Sequence, residues 1–363
     1  MTSIYPKFKH RRSLLRGTFF TTTSVLAAGL LSSLAPSALA QYTVTNLVSN
    51  QNSIGANPAD PALINAWGIT SLATSPFWLS DNGTGLSTLY NSTGQKQGLV
   101  VTVPAAGGTA PGTPTGVIGN TTGQFNITLN NKTASPLFIF ATADGTIKGW
   151  NPGVDPTHAI LGADRSGIGA SYTALAIATN EKGENFIYAA DNSANREIDM
   201  FDSNFNFVMS FGDPNLPKKF APYGIREING KLWVTFTPLN KGQDGAVDIF
   251  NTDGTIFKHD AVHGPLHSPW ALALAPANFG PLSNAVLIGN NTKDGRINAF
   301  DPTSGTFLGT LRDTSGAPIV IDQLWGLDFG KGAGANGATN ELFFTAGPDN
   351  YANGLFGVIT PAQ

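Results

Sequence analysis

The sequence predicts an all-β protein, a propeller of six four-stranded blades. Three observations predict it. A unit of about fifty residues recurs along the chain. Each unit is built from short apolar runs broken by Asx and Gly turns. The last unit lacks one strand, while a strand-like segment near the start of the chain has no unit of its own.

The recurrence is marked by Trp67, Thr115, Thr173, Tyr223, Trp270 and Trp325, at intervals of 48, 58, 50, 47 and 55 residues. Each is followed by Gly or Ala and then by an aliphatic residue, as in "AWGI", "PYGI", "PWAL" and "LWGL". This is the expected innermost strand, where small residues let neighbouring backbones crowd the axis. The second strand follows as "FWLSDN" (77–82), "LFIFATADG" (137–145), "FIYAADN" (186–192), "LWVTFT" (232–237), "VLIGNN" (286–291) and "LFFTAGPDN" (342–350). These runs are nearly continuous in apolar residues, as in strands dry on both faces. The third strand is "LSTLYN", "TIKGWN", "EIDMFD", "AVDIFN", "RINAFD" and "GLFGVI". Asn91, Asn151, Asp202, Asn251 and Asp301 then turn the chain, because Asx side chains bond nearby backbone and tolerate left-handed geometry. A fourth strand follows in the first five units, as in "LVVTVP" (99–104), "FVMSFG" (207–212) and "FLGTLR" (307–312). The sixth unit shows only three. "YTVTNLV" (42–48) is expected to supply its fourth and close the ring.

Composition bounds the function. Apolar residues make up 41% of the 363, enough for a large core, and charged residues only 12%. The polar surface is therefore made of Asn, Thr, Ser and Gly, as in many exported proteins. With no cysteine there are no disulfides and no thiolate chemistry. Residues 1–40 read as a signal peptide. A basic start (Lys7, Lys9, Arg11, Arg12, Arg16) precedes a short apolar run and Ala38-Leu39-Ala40. "HRRSLLRG" is similar to a twin-arginine export signal, from which His10 and Leu14 depart; an ordinary secretory leader is the alternative. The apolar run is too short and too rich in Ser and Thr for a membrane span. All five charges of the segment are basic. Residues 41–363, expected to be one domain, therefore carry 16 basic and 24 acidic residues, a formal charge of −8. That disfavours nucleic acid as a partner.

The motifs "NAWGI", "DNGTG", "ADGTIKGWNPG", "AADN", "FAPYGI", "GKLWVTF", "DGRINAFDP" and "LWGLDFG…LFFTAGP" resemble a family of uncharacterised exported bacterial proteins with an NHL-like six-bladed propeller. The likeness spans almost all of residues 41–363. It implies the fold and brings no activity.

Alternating strand direction puts the start of each innermost strand and the turn between the second and third strands on one face. Candidate ligand-binding residues on that face are Asn65, Trp67, Tyr223, Trp270, Trp325, Asn192 and His267. Asp81, Asp191, Asn290 and Asp349 are the candidate oxygen ligands for a divalent cation such as Ca²⁺. The alternative for all of them is structural, with rings plugging the channel and Asx side chains closing turns. Enzymes of the gluconolactonase and senescence-marker group share this architecture and hold a divalent metal with a Glu, Asn residues and an Asp. Here Asn65 stands where that Glu is expected. Of the mature chain's four histidines (His158, His259, His263, His267), three lie in "KHDAVHGPLH". That cluster, with Asp260, reads as a solvated strand and loop rather than a metal site. "GAGANG" (332–337) reads as a flexible loop. No G-x-S-x-G elbow and no phosphate-binding glycine loop is present. The expectation is an exported, monomeric binding or scaffold protein of the periplasm or cell exterior. Its partner would be an envelope glycan, a small molecule or a protein. The alternative is a metal-dependent hydrolase of lactones or esters.

Overall fold

The computed structural model describes residues 41–362, apart from residue 56 and residues 239–243, with backbone only for 260–263. The leader-like segment 1–40 lies outside the described residues, as do the side chains of Asp260 and His263.

Six sheets with antiparallel blades follow one another along the chain, innermost strand first, five of four strands and the last of five. Their innermost strands are Ala66–Thr70, Pro114–Gly119, Tyr172–Thr179, Phe220–Ile228, Pro269–Leu274 and Leu324–Phe329. These sheets are blades 1 to 6. The crowding expected after each repeated aromatic is present. A Cβ on Gly68 would lie 2.6 Å from the Thr115 carbonyl oxygen, and one on Gly224 1.9 Å from that of Trp270. Hydroxyls stitch the crowded strands: Thr115 Oγ1 donates to the Tyr172 carbonyl and Thr173 Oγ1 to that of Tyr223, each at 2.7 Å. Thr345 Oγ1 donates to the Trp67 carbonyl at 2.6 Å and joins the last blade to the first.

The ring closes as the strand count requires. Gln41–Ser49 pairs antiparallel with Leu355–Pro361, from Tyr42 opposite Pro361 to Ser49 opposite Leu355, with one bulge. Tyr42 is buried, and its hydroxyl donates to the Phe279 carbonyl in blade 5 at 3.0 Å. The free edge of this strand gains a two-residue parallel partner, Arg312–Asp313. The expected Asx turns are formed by the bonds that favour them. Asp202 Oδ1, for example, accepts the N–H groups of Asn204 and Asn206 at 2.8 and 2.9 Å.

Three features depart from the sequence reading. A hairpin, Ile127–Leu129 with Lys132–Ala134, is inserted between the first two strands of blade 2 and accounts for the longest interval. Its turn is Asn130-Asn131, both at positive φ. The stretch 332–337 is no free loop. Asn336 is fully buried, and its Nδ2 donates to the carbonyls of Leu72 and Ser75 at 3.0 Å, fastening blade 6 to blade 1. "KHDAVHGPLH" is one continuous strand, Ile256–His267, the outer edge of blade 4.

Candidate functional site

The repeated aromatics do meet at one end of the channel, and they meet each other. Trp325, 1% exposed, is the centre of the group. Trp67 stacks on it at 3.7 Å between ring centroids. Trp270 packs edge-on at 5.6 Å, and Tyr223 and Tyr351 lie at 5.9 and 5.5 Å. Such ring pairs add to the burial of a large apolar area. Most polar atoms of this face are spent on the same construction, although Trp67 Nε1 is buried with no hydrogen-bond partner among the described residues. Trp325 Nε1 donates to Asn65 Oδ1 at 2.8 Å, and Trp270 Nε1 to the Thr173 carbonyl at 3.3 Å. Asn65 Nδ2 donates to Asn82 Oδ1 at 3.1 Å. Three side chains at one topological position then join neighbouring blades through a carbonyl near the start of the next blade's innermost strand. Asn82 donates to Pro114 at 3.1 Å, Asn192 to Pro222 at 2.9 Å and Asn291 to Leu324 at 3.0 Å. Burial pushes the Tyr223 hydroxyl well above its ordinary range, aided by Tyr351 beside it. Tyr351 is itself pushed up to about 12 by burial. Both remain neutral donors.

Of the other sequence candidates, His267 and Asn290 are brought together through one backbone bond, while Asp81, Asp191 and Asp349 are held in their own blades. His267 ends the outer strand of blade 4, its Nδ1 3.5 Å from Asp244 Oδ1 and its backbone N–H bonded to Asn290 Oδ1 at 3.1 Å. Asp81, Asp191, Asn290 and Asp349 do not gather into a ligand set. Asp81, Asp191 and Asp349 are held within their own blades and Asn290 by the outer strand of blade 4: Asp81 Oδ2 accepts both N–H and Oγ1 of Thr88, and Asp191 Oδ1 accepts the N–H of Ser171 and Ser193. Asn290 Nδ2 donates to the Pro265 carbonyl and Asp349 Oδ2 accepts from Asn353. Asp81 is fully buried, and burial together with the nearby Asp60 charge raises its pKa well above the carboxylate range, against the Thr88 bonds. A cation held by these four does not fit the geometry. Among the described residues, three imidazole or carboxylate ligands come within reach of one another at one place. That place is Asp213, Asp248 and His259, away from this face.

Behind the plug the channel remains hollow. A cavity of about 240 Å³ runs between the innermost strands, with Gly68, Gly116, Ala174 and Gly326 in its wall and Trp270 at the end nearest the aromatic group. Arg226 and Glu227 mark its opposite end, three and four residues beyond Tyr223. Arg226 spans that mouth. Its Nη1 donates to the carbonyls of Leu272 and Leu327 at 3.2 and 3.0 Å, and its Nη2 to Asp328 Oδ1 at 2.9 Å. Lys331 Nζ shares the same oxygen at 3.0 Å. The lining offers no pairing of a nucleophile with a base, and its ionisable groups are Arg226 and Glu227. The sequence reading missed this end, because Gly and Ala walls leave no chemical signature.

No protein-family model matches the chain. An uncharacterized protein of Acanthamoeba polyphaga mimivirus is 32% identical over 348 residues, spanning 90% of this chain and 87% of that one. A second uncharacterized protein of the same virus is 33% identical over 348 residues, spanning 90% and 82%. The chain belongs to the family of these viral proteins. The sequence motifs pointed instead to exported bacterial proteins. The relatives found are viral, so what stands of that resemblance is an uncharacterised family with a six-bladed propeller. Among solved structures, virginiamycin B lyase from Staphylococcus aureus is similar with a TM-score of 0.52 at 12% identity, covering 89% of this chain and 100% of that one. A luciferin-regenerating enzyme is similar with a TM-score of 0.52 at 12% identity, covering 82% and 92%. At such identity the likeness shows the propeller alone.

Proposed function

We propose that the protein is a binding propeller whose ligand enters the open end of the central channel, and that it has no hydrolytic activity. One observation carries the reading. The aromatic and Asx side chains of the opposite face are largely consumed in bonds and ring contacts with one another, which leaves a cavity between the innermost strands with Arg226 at its mouth. The cavity of about 240 Å³ is below the roughly 300–1,000 Å³ of common ligand sites, so the fitting occupant is a small molecule or one side chain of a protein partner. A glycan stacked on the repeated aromatics is disfavoured, since those rings face each other. The leader-like residues 1–40 support export to the periplasm or exterior, and N-terminal sequencing of the secreted chain is expected to begin at Gln41.

The test is ligand-observed NMR with a library of small apolar and carboxylate fragments on the wild type and on Thr70→Trp and Ile177→Trp, which fill the open end. Binding fragments are expected to be lost from both variants while the fold is retained. Fragments that bind the variants as well would remove the channel from the reading. Saturable turnover of a lactone or ester panel would replace it with the hydrolase.

A further inference from the structure

In blades 1 to 5 the third strand carries a buried polar residue two places before its last aromatic: Thr88, Lys148, Asp199, Asp248 and Asn298. Each needs a complement, and for blades 3 and 5 the end of the preceding blade supplies it. Arg165, leaving blade 2, reaches Asp199 with Nε at 3.3 Å from Oδ2. The Pro265 carbonyl, near the end of blade 4, accepts from Asn298 at 2.9 Å. In blade 4 the same relation brings like charges together. The connection leaving blade 3 presents Asp213 to Asp248.

Both carboxylates are dry: the Asp213 side chain is 1% exposed and that of Asp248 0%. The group they face is His259, cross-strand from Asp248, with Nδ1 3.1 Å from Asp248 Oδ1 and 3.2 Å from Asp213 Oδ2. One Nδ1 carries at most one hydrogen and cannot give both carboxylates a full hydrogen bond. Asp213 Oδ2 and Asp248 Oδ2 have no hydrogen-bond partner among the described residues. Asp213 is meanwhile fixed in place, because its Oδ1 accepts the Asn215 N–H at 2.8 Å. Buried carboxylates without donors are costly unless a cation complements them. The two spacings from His259 Nδ1 match one: bonds of about 2.0 Å to a tetrahedral ion separate its ligands by roughly 3.3 Å.

We propose that Asp213, Asp248 and His259 form a binding site for a divalent transition-metal ion of the zinc class. His259 coordinates through Nδ1 with its proton on Nε2. Its side chain is 47% exposed, so the ion has a path from solvent and room for water in its remaining position. The mixed nitrogen and oxygen donor set selects zinc or cobalt over calcium. The site is separate from the channel and does not depend on what the channel binds.

The test uses the tag-free full chain, stripped with chelator. Zn²⁺ is titrated by calorimetry, and Co²⁺ by its visible absorption. One equivalent is expected to bind, with affinity falling on the order of a hundredfold or more in His259→Gln and in Asp213→Asn. His259→Gln alters a half-exposed residue and keeps the fold, which circular dichroism verifies. No saturable binding, or binding retained within a few-fold in either variant, would overturn the proposal.

Discussion

The functional reading depends on the aromatic face being a seal, and Asn291 tests that directly. It is 2% exposed and makes three side-chain bonds across three blades. Its Oδ1 accepts the hydroxyls of Tyr223 at 3.2 Å and Tyr351 at 2.8 Å, and its Nδ2 donates to the Leu324 carbonyl at 3.0 Å. Asn291→Ala removes all three and leaves the buried Tyr223 hydroxyl with no acceptor at that position. A donor stranded in this way costs about 1–3 kcal/mol and an ordinary lost bond about 1 kcal/mol, so the sum is roughly 3–4 kcal/mol. Tyr223→Phe removes one bond while Tyr351 still satisfies Asn291, a loss of about 1 kcal/mol. For a domain of this size each kcal/mol lowers Tm by about 2 °C, giving roughly 6–8 °C for Asn291→Ala and about 2 °C for Tyr223→Phe. Scanning calorimetry measures both. If Asn291→Ala melts within about a degree of the wild type, the clasp contributes nothing, and the face is free to open for a ligand.

Two further outcomes are expected. Deleting residues 41–49 strips blade 6 of its outer strand and exposes the core behind Tyr42; the product should be insoluble or melt more than about 10 °C lower, and an unchanged Tm would refute closure by this strand. Asp81 has its pKa raised by burial, so its folded form stays protonated while the unfolded chain ionises above about pH 4, and wild-type stability erodes from there toward neutral pH. Asp81→Asn keeps an acceptor for Thr88 and has no charge to exclude. Its Tm relative to wild type should rise between pH 4 and pH 7.5, and a gap that shrinks over that range would contradict the buried neutral acid.

Much of the fold was legible because a blade is a local object. Its strands are sequence neighbours, its turns need Asx and Gly, and its innermost strand needs small residues, so every rule acts within about fifty residues. Counting strands then disclosed the closure by residues 42–48. The hairpin at 127–134 had a signal in Asn130-Asn131 that the repeat pattern overshadowed. The site was less legible, for a geometric reason. Trp67, Tyr223, Trp270 and Trp325 share one place in the repeat, but whether four such rings face solvent or one another depends on the radius of the ring of blades. Asp81, Asp191, Asn290 and Asp349 likewise lie near equivalent turns, yet the three Asp residues turn back to bond their own blades and Asn290 bonds the outer strand of the preceding one. Position in a repeat says where a residue starts, not how far its side chain reaches.

The polar layer of the third strands shows what the repeat leaves free. Thr88, Lys148, Asp199, Asp248 and Asn298 differ in charge and size at one place in the fold. The fold requires only that each be complemented. Thr88 is complemented within its blade by Asp81, Lys148 has the charges of Asp144 and Asp164, and Asp199 has Arg165, Tyr172 and Ser210. Asn298 has Pro265 and Thr310. Each of these accounts is closed by groups of the protein itself. Asp248 differs, because its complement from the preceding blade is another carboxylate and a single imidazole serves both. A core position that tolerates four self-sufficient solutions has no packing need for a fifth that lacks a cation. The pairing of Asp213 with Asp248 is therefore better explained by a bound ion than by the demands of the ring.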